Sequence, residues 1–149
     1  RLDMSAASSP DDYYQCISRK TASLFSASAG MGVLIAWGSS RDVACFESYG
    51  RHLGLSYQIL DDLEEFLGLD QGKSSQKTSI TLPRIYSNRE SEKASQSLCI
   101  KAIEDHSSSA RAALNESAGR EDMKARLMGI VDEMTGRGLE RCRLQKSLC

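Results

Sequence analysis

The sequence predicts an all-α protein, and three observations lead to that fold class. Apolar side chains recur every three or four residues over long stretches, which is the spacing of one face of a helix. Two Pro, three Phe, one Trp and five Tyr are too few for a fold of short strands and tight turns. The length of 149 residues corresponds to one domain. We therefore expect a single helical bundle.

The first predicted helix begins at Ser9. Ser9 is a capping residue, Pro10 suits the first turn, and Asp11 and Asp12 lie at the positive end of the helix dipole. Helical spacing then continues to Met31. The predicted inward positions are Tyr13, Ile17, Lys20/Thr21, Leu24, Ser28 and Met31. We expect residues 33–37 to form a buried connector or a short helix.

The second predicted helix begins near Arg41 and runs for about 27 residues, roughly 40 Å at the rise of an α-helix. Its periodic positions are Val43, Phe46, Gly50, Leu53, Tyr57, Leu60, Glu64 and Leu67. A polar loop rich in Gly and Ser follows over residues 68–78. A short segment around Leu82-Pro83 comes next.

The last third of the chain predicts further helices. Residues 91–115 form one or two helices, with inward positions at Ala94, Leu98, Ile103, Ala110 and Leu114. Gly119 separates them from a last helix, which carries Met123, Leu127, Ile130, Val131 and Met134. We expect Gly136 and Gly138 to end that helix and a basic tail to follow.

Composition and charge exclude several classes of function. Lys plus Arg is 19 and Asp plus Glu is 20, so the net charge of −1 disfavours non-specific nucleic-acid binding and a polybasic membrane contact. The longest apolar run, Met31–Trp37, is far shorter than the roughly 18 residues of a membrane span, and no signal peptide is visible. Five Cys without a CxxC pair predict a reducing, cytoplasmic setting.

A cluster of carboxylates is the first candidate for chemistry. Gln58, Asp61, Asp62 and Glu65 share one helix stripe, close to a negative helix C-terminus where a cation would relieve the repulsion. Oxygen donors without His or Cys suit Mg²⁺ better than Zn²⁺. We expect Asp61 to be the direct ligand on the inward stripe and Asp62 to be rotated by about 100° toward its edge. A solvated acidic face is the alternative interpretation.

Lysines provide the second and third candidates. Lys20 interrupts an apolar stripe beside Thr21, which predicts a bound anion or else a side chain that reaches out to solvent. Lys73 and Lys77 lie on the loop after the carboxylates, where they could hold a phosphate or simply neutralise the acidic cluster. Together with an apolar helical wall, these groups suit a diphosphate on a hydrocarbon chain.

Four motifs in order resemble those of the trans-isoprenyl diphosphate synthases, the polyprenyl synthetase family. They are Tyr14-x5-Lys20-Thr21-Ala22-x-Leu24-Phe25, Gly50-x-x-Leu53-Gly54-Leu55-x-Tyr57-Gln58-x-x-Asp61-Asp62, Gly72-Lys73, and Lys77-x3-Thr81-Leu82-Pro83. The resemblance runs from Leu2-Asp3 to about Arg137. It covers nearly all of the chain but only the C-terminal half of a typical member.

The resemblance implies an isoprenoid synthase fold and a magnesium-dependent prenyltransferase. Head-to-tail condensation would join an allylic diphosphate to isopentenyl diphosphate after ionisation of the allylic C–O bond. The implied metal ligands are Asp61 and Asp62 of the second Asp-rich motif, with Glu65 where the family usually has a third Asp. Lys20, Lys73 and, more loosely, Lys77 match lysines that hold the diphosphate. Thr21 and Gln58 match polar groups that steady the developing cation and the departing proton.

The resemblance also implies that residues 1–149 lack the N-terminal half, which carries the family's first Asp-rich motif. We therefore expect this chain to be inactive alone and to act with the missing half or a complementary subunit, in a homo- or hetero-oligomer. A non-catalytic regulatory or structural subunit of a heteromeric synthase is the alternative from another functional class. A helical bundle with chance motifs is a third interpretation.

Overall fold

The computed structural model describes residues 9–69 and 80–148, and within these ranges it contains α-helices and no β-strand. The helices are α1 (Pro10–Ile17), α2 (Ser23–Ile35), α3 (Ser40–Phe66), α4 (Leu82–Ser87), α5 (Glu92–Glu116) and α6 (Glu121–Leu148). The predicted all-α class is confirmed.

The chain enters α1 through a reciprocal cap. The Ser9 hydroxyl accepts a hydrogen bond from the Asp12 backbone N–H at 3.2 Å, and the Asp12 carboxylate accepts one from the Ser9 N–H at 3.0 Å. Both groups satisfy backbone donors that a helix start leaves open. The predicted start of the first helix is confirmed.

A π-helical turn, Ser18–Ala22, joins α1 to α2. The turn inserts one extra residue, so burial passes from Ile17 to Ala22 and continues at intervals of four. The buried positions after the turn are Ala22, Ser26 and Gly30. The predicted inward positions Leu24, Ser28 and Met31 are wrong, since all three are exposed. A constant period of 3.6 residues cannot follow a helix through a π turn.

The prediction of a buried connector over residues 33–37 is also wrong, because residues 33–35 form the end of α2 and residues 34–37 are exposed. Ile35 is 76% exposed and Trp37 is 95% exposed. α2 packs mainly against α3, so its opposite face and its C-terminal end stay uncovered.

α3 has the predicted length of 27 residues, and the Ser39 hydroxyl caps it. Two glycines let it approach the preceding helices closely. A β-carbon at Gly50 would lie 2.3 Å from the Phe25 carbonyl oxygen, and one at Gly54 would lie 2.8 Å from the Ala22 Cα atom. Tyr57, one of the periodic positions of this helix, is 40% exposed.

α4 and α5 form a corner behind the C-terminal half of α3. Pro83 lies in the first turn of α4, and its carbonyl oxygen accepts a hydrogen bond from the Ser95 hydroxyl at 2.7 Å. α5 is one continuous helix in which Cys99 and Ile103 are fully buried. Leu98, predicted to face inward, is 41% exposed because the buried line of α5 runs one residue later.

α6 continues through the glycines that were predicted to end it. A β-carbon at Gly138 would lie 2.6 Å from a methyl group of Leu60, so this glycine allows α6 to approach α3. The expected basic tail belongs to the same helix, where Arg141 pairs with Glu64 and Arg143 pairs with Glu104. Of the apolar residues that the last helix was predicted to carry, Val131 is fully buried, and Met123 and Ile130 are exposed.

The core has two parts along α3. The larger part surrounds the C-terminal half of α3, and its fully buried members include Ile59, Leu63, Leu82 and Ile103. The smaller part surrounds the N-terminal half and includes Tyr49, Leu53, Leu114 and Val131. The candidate site lies where α1 and the π turn meet the first part.

Candidate active site

The helical hairpin places the candidate site residues opposite one another. The stretch of α1, the π turn and α2 runs antiparallel to α3, and the backbones approach closely where Gly50 faces Phe25 and Gly54 faces Ala22. Along α3, the next two positions on this face are Gln58 and Asp62, each four residues further on. Gln58 meets Thr21 of the π turn, and Asp62 meets Tyr13 of α1.

A chain of hydrogen bonds links these four side chains. The Thr21 hydroxyl donates to Gln58 Oε1 at 2.8 Å, and Gln58 Nε2 donates to Asp62 Oδ1 at 3.1 Å. The Tyr13 hydroxyl donates to Asp62 Oδ2 at 2.5 Å. Both oxygens of the Asp62 carboxylate therefore accept a hydrogen bond, and the amide of Gln58 is fixed at both ends.

Burial dominates the electrostatics of Asp62. Desolvation raises the pKa of its carboxyl group to about 6, although the hydrogen bonds from Tyr13 and Gln58 act in the opposite direction. The negative charges of Asp61 and Glu65 raise this pKa further. At neutral pH the carboxylate is charged but held at a cost, which an adjacent cation would relieve.

Tyr13 is a site residue that sequence reasoning assigned only to the apolar stripe. Burial and the adjacent Asp62 carboxylate raise the pKa of its hydroxyl far above the ordinary value, so it remains a hydrogen-bond donor. A buried tyrosine normally has a hydrogen-bond partner for its hydroxyl, so a Tyr on the apolar stripe indicated that such a partner exists. The partner could not be identified without the pairing of α1 with α3.

The predicted orientation of Asp61 and Asp62 is wrong. Asp62 lies on the packed face with Gly54 and Gln58, because Tyr13 and Gln58 donate to it, and Asp61 and Glu65 lie beside it; all three carboxylates are half-buried. The prediction placed Asp61 on the packed line by a spacing of seven residues from Gly54. The spacing of four that links Gly54, Gln58 and Asp62 is the one that the contacts follow.

Lys20 is exposed, which contradicts its predicted inward position and agrees with the alternative of a side chain that reaches out to solvent. The π turn directs Ala22 into the core, so Lys20 points to solvent and Thr21 lies at the boundary. Lys20 nevertheless precedes Thr21 directly and thus lies close to the turn that contacts Gln58. Because Lys20 is exposed, its ammonium group needs no buried anion as a partner.

Two of the predicted site residues, Lys73 and Lys77, lie outside the described residues. Within 9–69 and 80–148, no group of three or more His, Cys, Asp or Glu side chains has a geometry that could hold a metal ion by itself. In the same ranges, no helix has both the length and the apolarity that crossing a membrane requires.

Sequence comparison decides the family. The family model described as polyprenyl synthetase matches residues 1–119. The chain belongs to the polyprenyl synthetase family. This confirms the resemblance inferred from the four motifs.

Named members of the family are similar to this chain over different spans. It is 36% identical over 125 residues to a geranylfarnesyl diphosphate synthase of Methanosarcina mazei, covering 84% of this chain and 42% of the relative. It is 48% identical over 52 residues to a geranylgeranyl diphosphate synthase of Sulfolobus acidocaldarius, covering 35% of this chain and 16% of the relative. The chain thus spans less than half the length of these polyprenyl synthetases.

Solved structures support the same fold. A geranyltranstransferase from Methanosarcina mazei superposes with a TM-score of 0.74 at 32% identity, over 87% of this chain and 45% of that one. A decaprenyl diphosphate synthase from Rhodobacter capsulatus also gives a TM-score of 0.74, over 88% of this chain and 51% of that one, and at 22% identity it supports the fold alone. The helices described above therefore correspond to about half of a polyprenyl synthetase fold.

Proposed function

We propose that this chain supplies the C-terminal half of a prenyl diphosphate synthase. The reaction is head-to-tail transfer of an allylic group from its diphosphate to isopentenyl diphosphate, with Mg²⁺ as the cofactor. The membership of the polyprenyl synthetase family supports the proposal, as do the relatives named geranylfarnesyl and geranylgeranyl diphosphate synthases.

The observation that carries the proposal is the hydrogen-bonded line from Thr21 through Gln58 to Asp62. These hydrogen bonds hold Thr21 of the π turn beside Gln58 and Asp62 near the C-terminal end of α3. π turns inside α-helices occur often at functional sites. The exposed Lys20 adjoins this line and is free of any role in the core.

The donor set suits Mg²⁺. This ion usually binds one or two carboxylates and completes its octahedron with waters and substrate phosphates. Asp61 and Glu65 would hold it, and Asp62, whose two oxygens each accept a hydrogen bond, would act chiefly through water. When bound, the ion supplies positive charge to the departing diphosphate.

The chain's own residues have separate tasks in this proposal. Lys20, Lys73 and Lys77 bind the allylic diphosphate as point charges. Thr21 and Gln58 hold neutral oxygens toward the developing allylic cation and the departing proton. Tyr13 keeps the Asp62 carboxylate at the packed face, which leaves the partly exposed carboxylates toward solvent and substrate.

The remaining half of the site comes from the N-terminal half of the same fold or from a complementary subunit, within a homo- or hetero-oligomer. We place the protein in the cytoplasm, since a reducing compartment suits its free thiols. Among the described residues these are Cys16, Cys45, Cys99 and Cys142.

Turnover of an Asp61→Asn variant tests the proposal. The assay uses this chain together with the half of the synthase that completes it. We expect the change to lower the incorporation of labelled isopentenyl diphosphate by about 10²-fold or more, in line with the loss of one electrostatic group at a reacting centre. Glu64→Gln is the matched control, because Glu64 is a carboxylate of the same helix that pairs with Arg141 at 2.5 Å. Equal turnover by Asp61→Asn and the wild type would disprove the metal site.

A mixing experiment tests the division into halves. The isolated 149-residue chain should form no product, and the partner half should restore activity. Product from the chain alone would contradict the division. A correctly folded assembly without activity in any combination would instead indicate the non-catalytic subunit.

A further inference from the structure

A pair of histidines lies between α3 and α5, away from the carboxylates at the end of α3. His52 Nδ1 and His106 Nδ1 are 3.0 Å apart, and the ring centroids are separated by 5.2 Å. Both side chains are half-buried. The two residues are far apart in sequence and carry none of the motifs of the proposed reaction, so this contact is a product of the packing of α3 on α5.

The separation of the two nitrogens matches a shared metal ion. Imidazole nitrogens bind Zn²⁺ at 2.0–2.1 Å in tetrahedral geometry, which places two of them about 3.3 Å apart. Side-chain rotations that separate the rings by about 0.3 Å would therefore admit an ion. In the metal-free contact one imidazole donates its Nδ1 proton to the other. With an ion bound, the donating imidazole carries its proton at Nε2 instead.

A surface cleft of about 510 Å³ opens onto His106, the member of the pair that lines it. Tyr14, Tyr86 and Leu98 supply apolar parts of the lining, while Lys101 and Asp105 lie at the same opening as His106. Lys101 and Asp105 neutralise each other in an ion pair at 2.7 Å. The cleft thus offers an entry path and room for the waters of a partly hydrated ion.

The environment favours neutral rings, which are the form that binds metals. Burial lowers the pKa of His52 and the nearby Arg51 lowers it further, while burial and His52 together lower the pKa of His106. In the described part of the chain no third His, Cys, Asp or Glu completes a ligand group, so water fills the other positions.

We propose that His52 and His106 form a two-histidine site for a divalent transition-metal ion such as Zn²⁺, which links α3 to α5. Two nitrogen ligands select borderline ions such as Zn²⁺, Ni²⁺ and Co²⁺ over Mg²⁺. The site is therefore chemically distinct from the oxygen-only cluster proposed to act in catalysis. An ion there stabilises the packing of the helix that carries Gln58, Asp61 and Asp62.

Thermal melting of the intact protein tests this site. After removal of metals with EDTA and dialysis, Zn²⁺ or Ni²⁺ in about 100-fold excess over Kd should raise Tm by about 5 °C, while Mg²⁺ raises it much less. His52→Asn and His106→Asn should each abolish the Zn²⁺-induced shift, measured against the variant's own metal-free Tm. That reference keeps the test valid when a substitution lowers stability.

Two further measurements distinguish metal binding at His52 and His106 from metal binding elsewhere in the protein. Co²⁺ should give a visible absorption band in the wild type that both histidine variants lose. Asp61→Asn should keep both the band and the Zn²⁺ shift. A wild type without any Zn²⁺ shift, or a shift that survives in both histidine variants, would overturn the proposal. Turnover of Asp61→Asn tests the proposed prenyl transfer independently of this histidine site.

Discussion

α3 packs against its neighbours with two chemically different faces. Toward α1, the π turn and α2 it presents Gly50, Gly54, Gln58 and Asp62. Toward the interior of the larger core it presents apolar side chains such as Ile59 and Leu63, which are fully buried. The first face relies on close backbone approach and directed hydrogen bonds, and the second relies on apolar burial.

The apolar face stabilises the position of α3, and the glycine and polar face carries groups of the proposed site. Apolar burial is non-directional and tolerates substitutions of similar volume. The glycine and polar face allows no such exchange, because backbone atoms of Phe25 and Ala22 lie in the space a side chain would need. The carboxylates of the proposed site lie at the end of this less tolerant face.

Truncation in the apolar face should have the largest effect on stability. Leu63→Ala removes a fully buried side chain and should lower the free energy of unfolding by about 2–5 kcal/mol. Urea denaturation of the intact protein measures the change. Leu98→Ala is the control, because Leu98 is 41% exposed and should lose clearly less. Equal losses would mean that the burial of Leu63 in the apolar face does not determine the size of the effect.

Neutralising Asp62 should raise the free energy of unfolding, whereas Leu63→Ala lowers it. Since the folded pKa of about 6 lies above the ordinary value of 3.8, the protonated form stabilises the fold fully below pH 3.8, and this stabilisation is lost as pH rises through about 6. Asp62→Asn should therefore stabilise the metal-free protein by about 2–3 kcal/mol at pH 7 and by little at pH 4.

Melting curves of the wild type and Asp62→Asn in EDTA, at pH 4 and pH 7, check this prediction. A stabilisation of equal size at both pH values would show that it does not come from the charge of Asp62. Tyr13→Phe removes the hydrogen bond to this carboxylate at 2.5 Å and should enlarge the gain from neutralisation, because the charged form then lacks one donor.

A methyl group on the glycine face should have a smaller destabilising effect. Gly54→Ala places a β-carbon 2.8 Å from the Ala22 Cα atom, and the required backbone shift should lower the free energy of unfolding by about 1–3 kcal/mol. Gly129→Ala is the control in α6, where nothing lies within 4 Å, and it should raise stability by up to about 1 kcal/mol. A stable Gly54→Ala variant would show that this contact relaxes easily.

The smallest effect on stability is expected at Lys20. Because its side chain is exposed, Lys20→Ala should change the free energy of unfolding by less than about 0.5 kcal/mol. Loss of a charged hydrogen bond to a diphosphate should still raise KM for the allylic substrate by about 10–100-fold. Arg19→Ala removes a neighbouring exposed cation and should leave KM near its wild-type value. Equal effects of both changes would indicate general charge attraction.

Local chemistry allowed much of this protein to be predicted from its sequence. The cap at Ser9 and the length of α3 follow from capping and periodicity. The family follows from motifs whose order and spacing survive in the chain. The cap at Ser9 and the length of α3 depend on residues that are close in sequence, and the family depends on the order of motifs along the chain.

The tertiary structure decided the features that depend on register and on distant partners. The π turn shifted burial from Thr21 to Ala22, exposed Lys20 and brought Thr21 to Gln58. Packing of α1 on α3 selected Asp62, instead of Asp61, as the carboxylate that Tyr13 holds. A period of 3.6 residues fixes which side chains share a face, but one inserted residue or one close contact changes the face that is buried, and only the packed helices determine that choice.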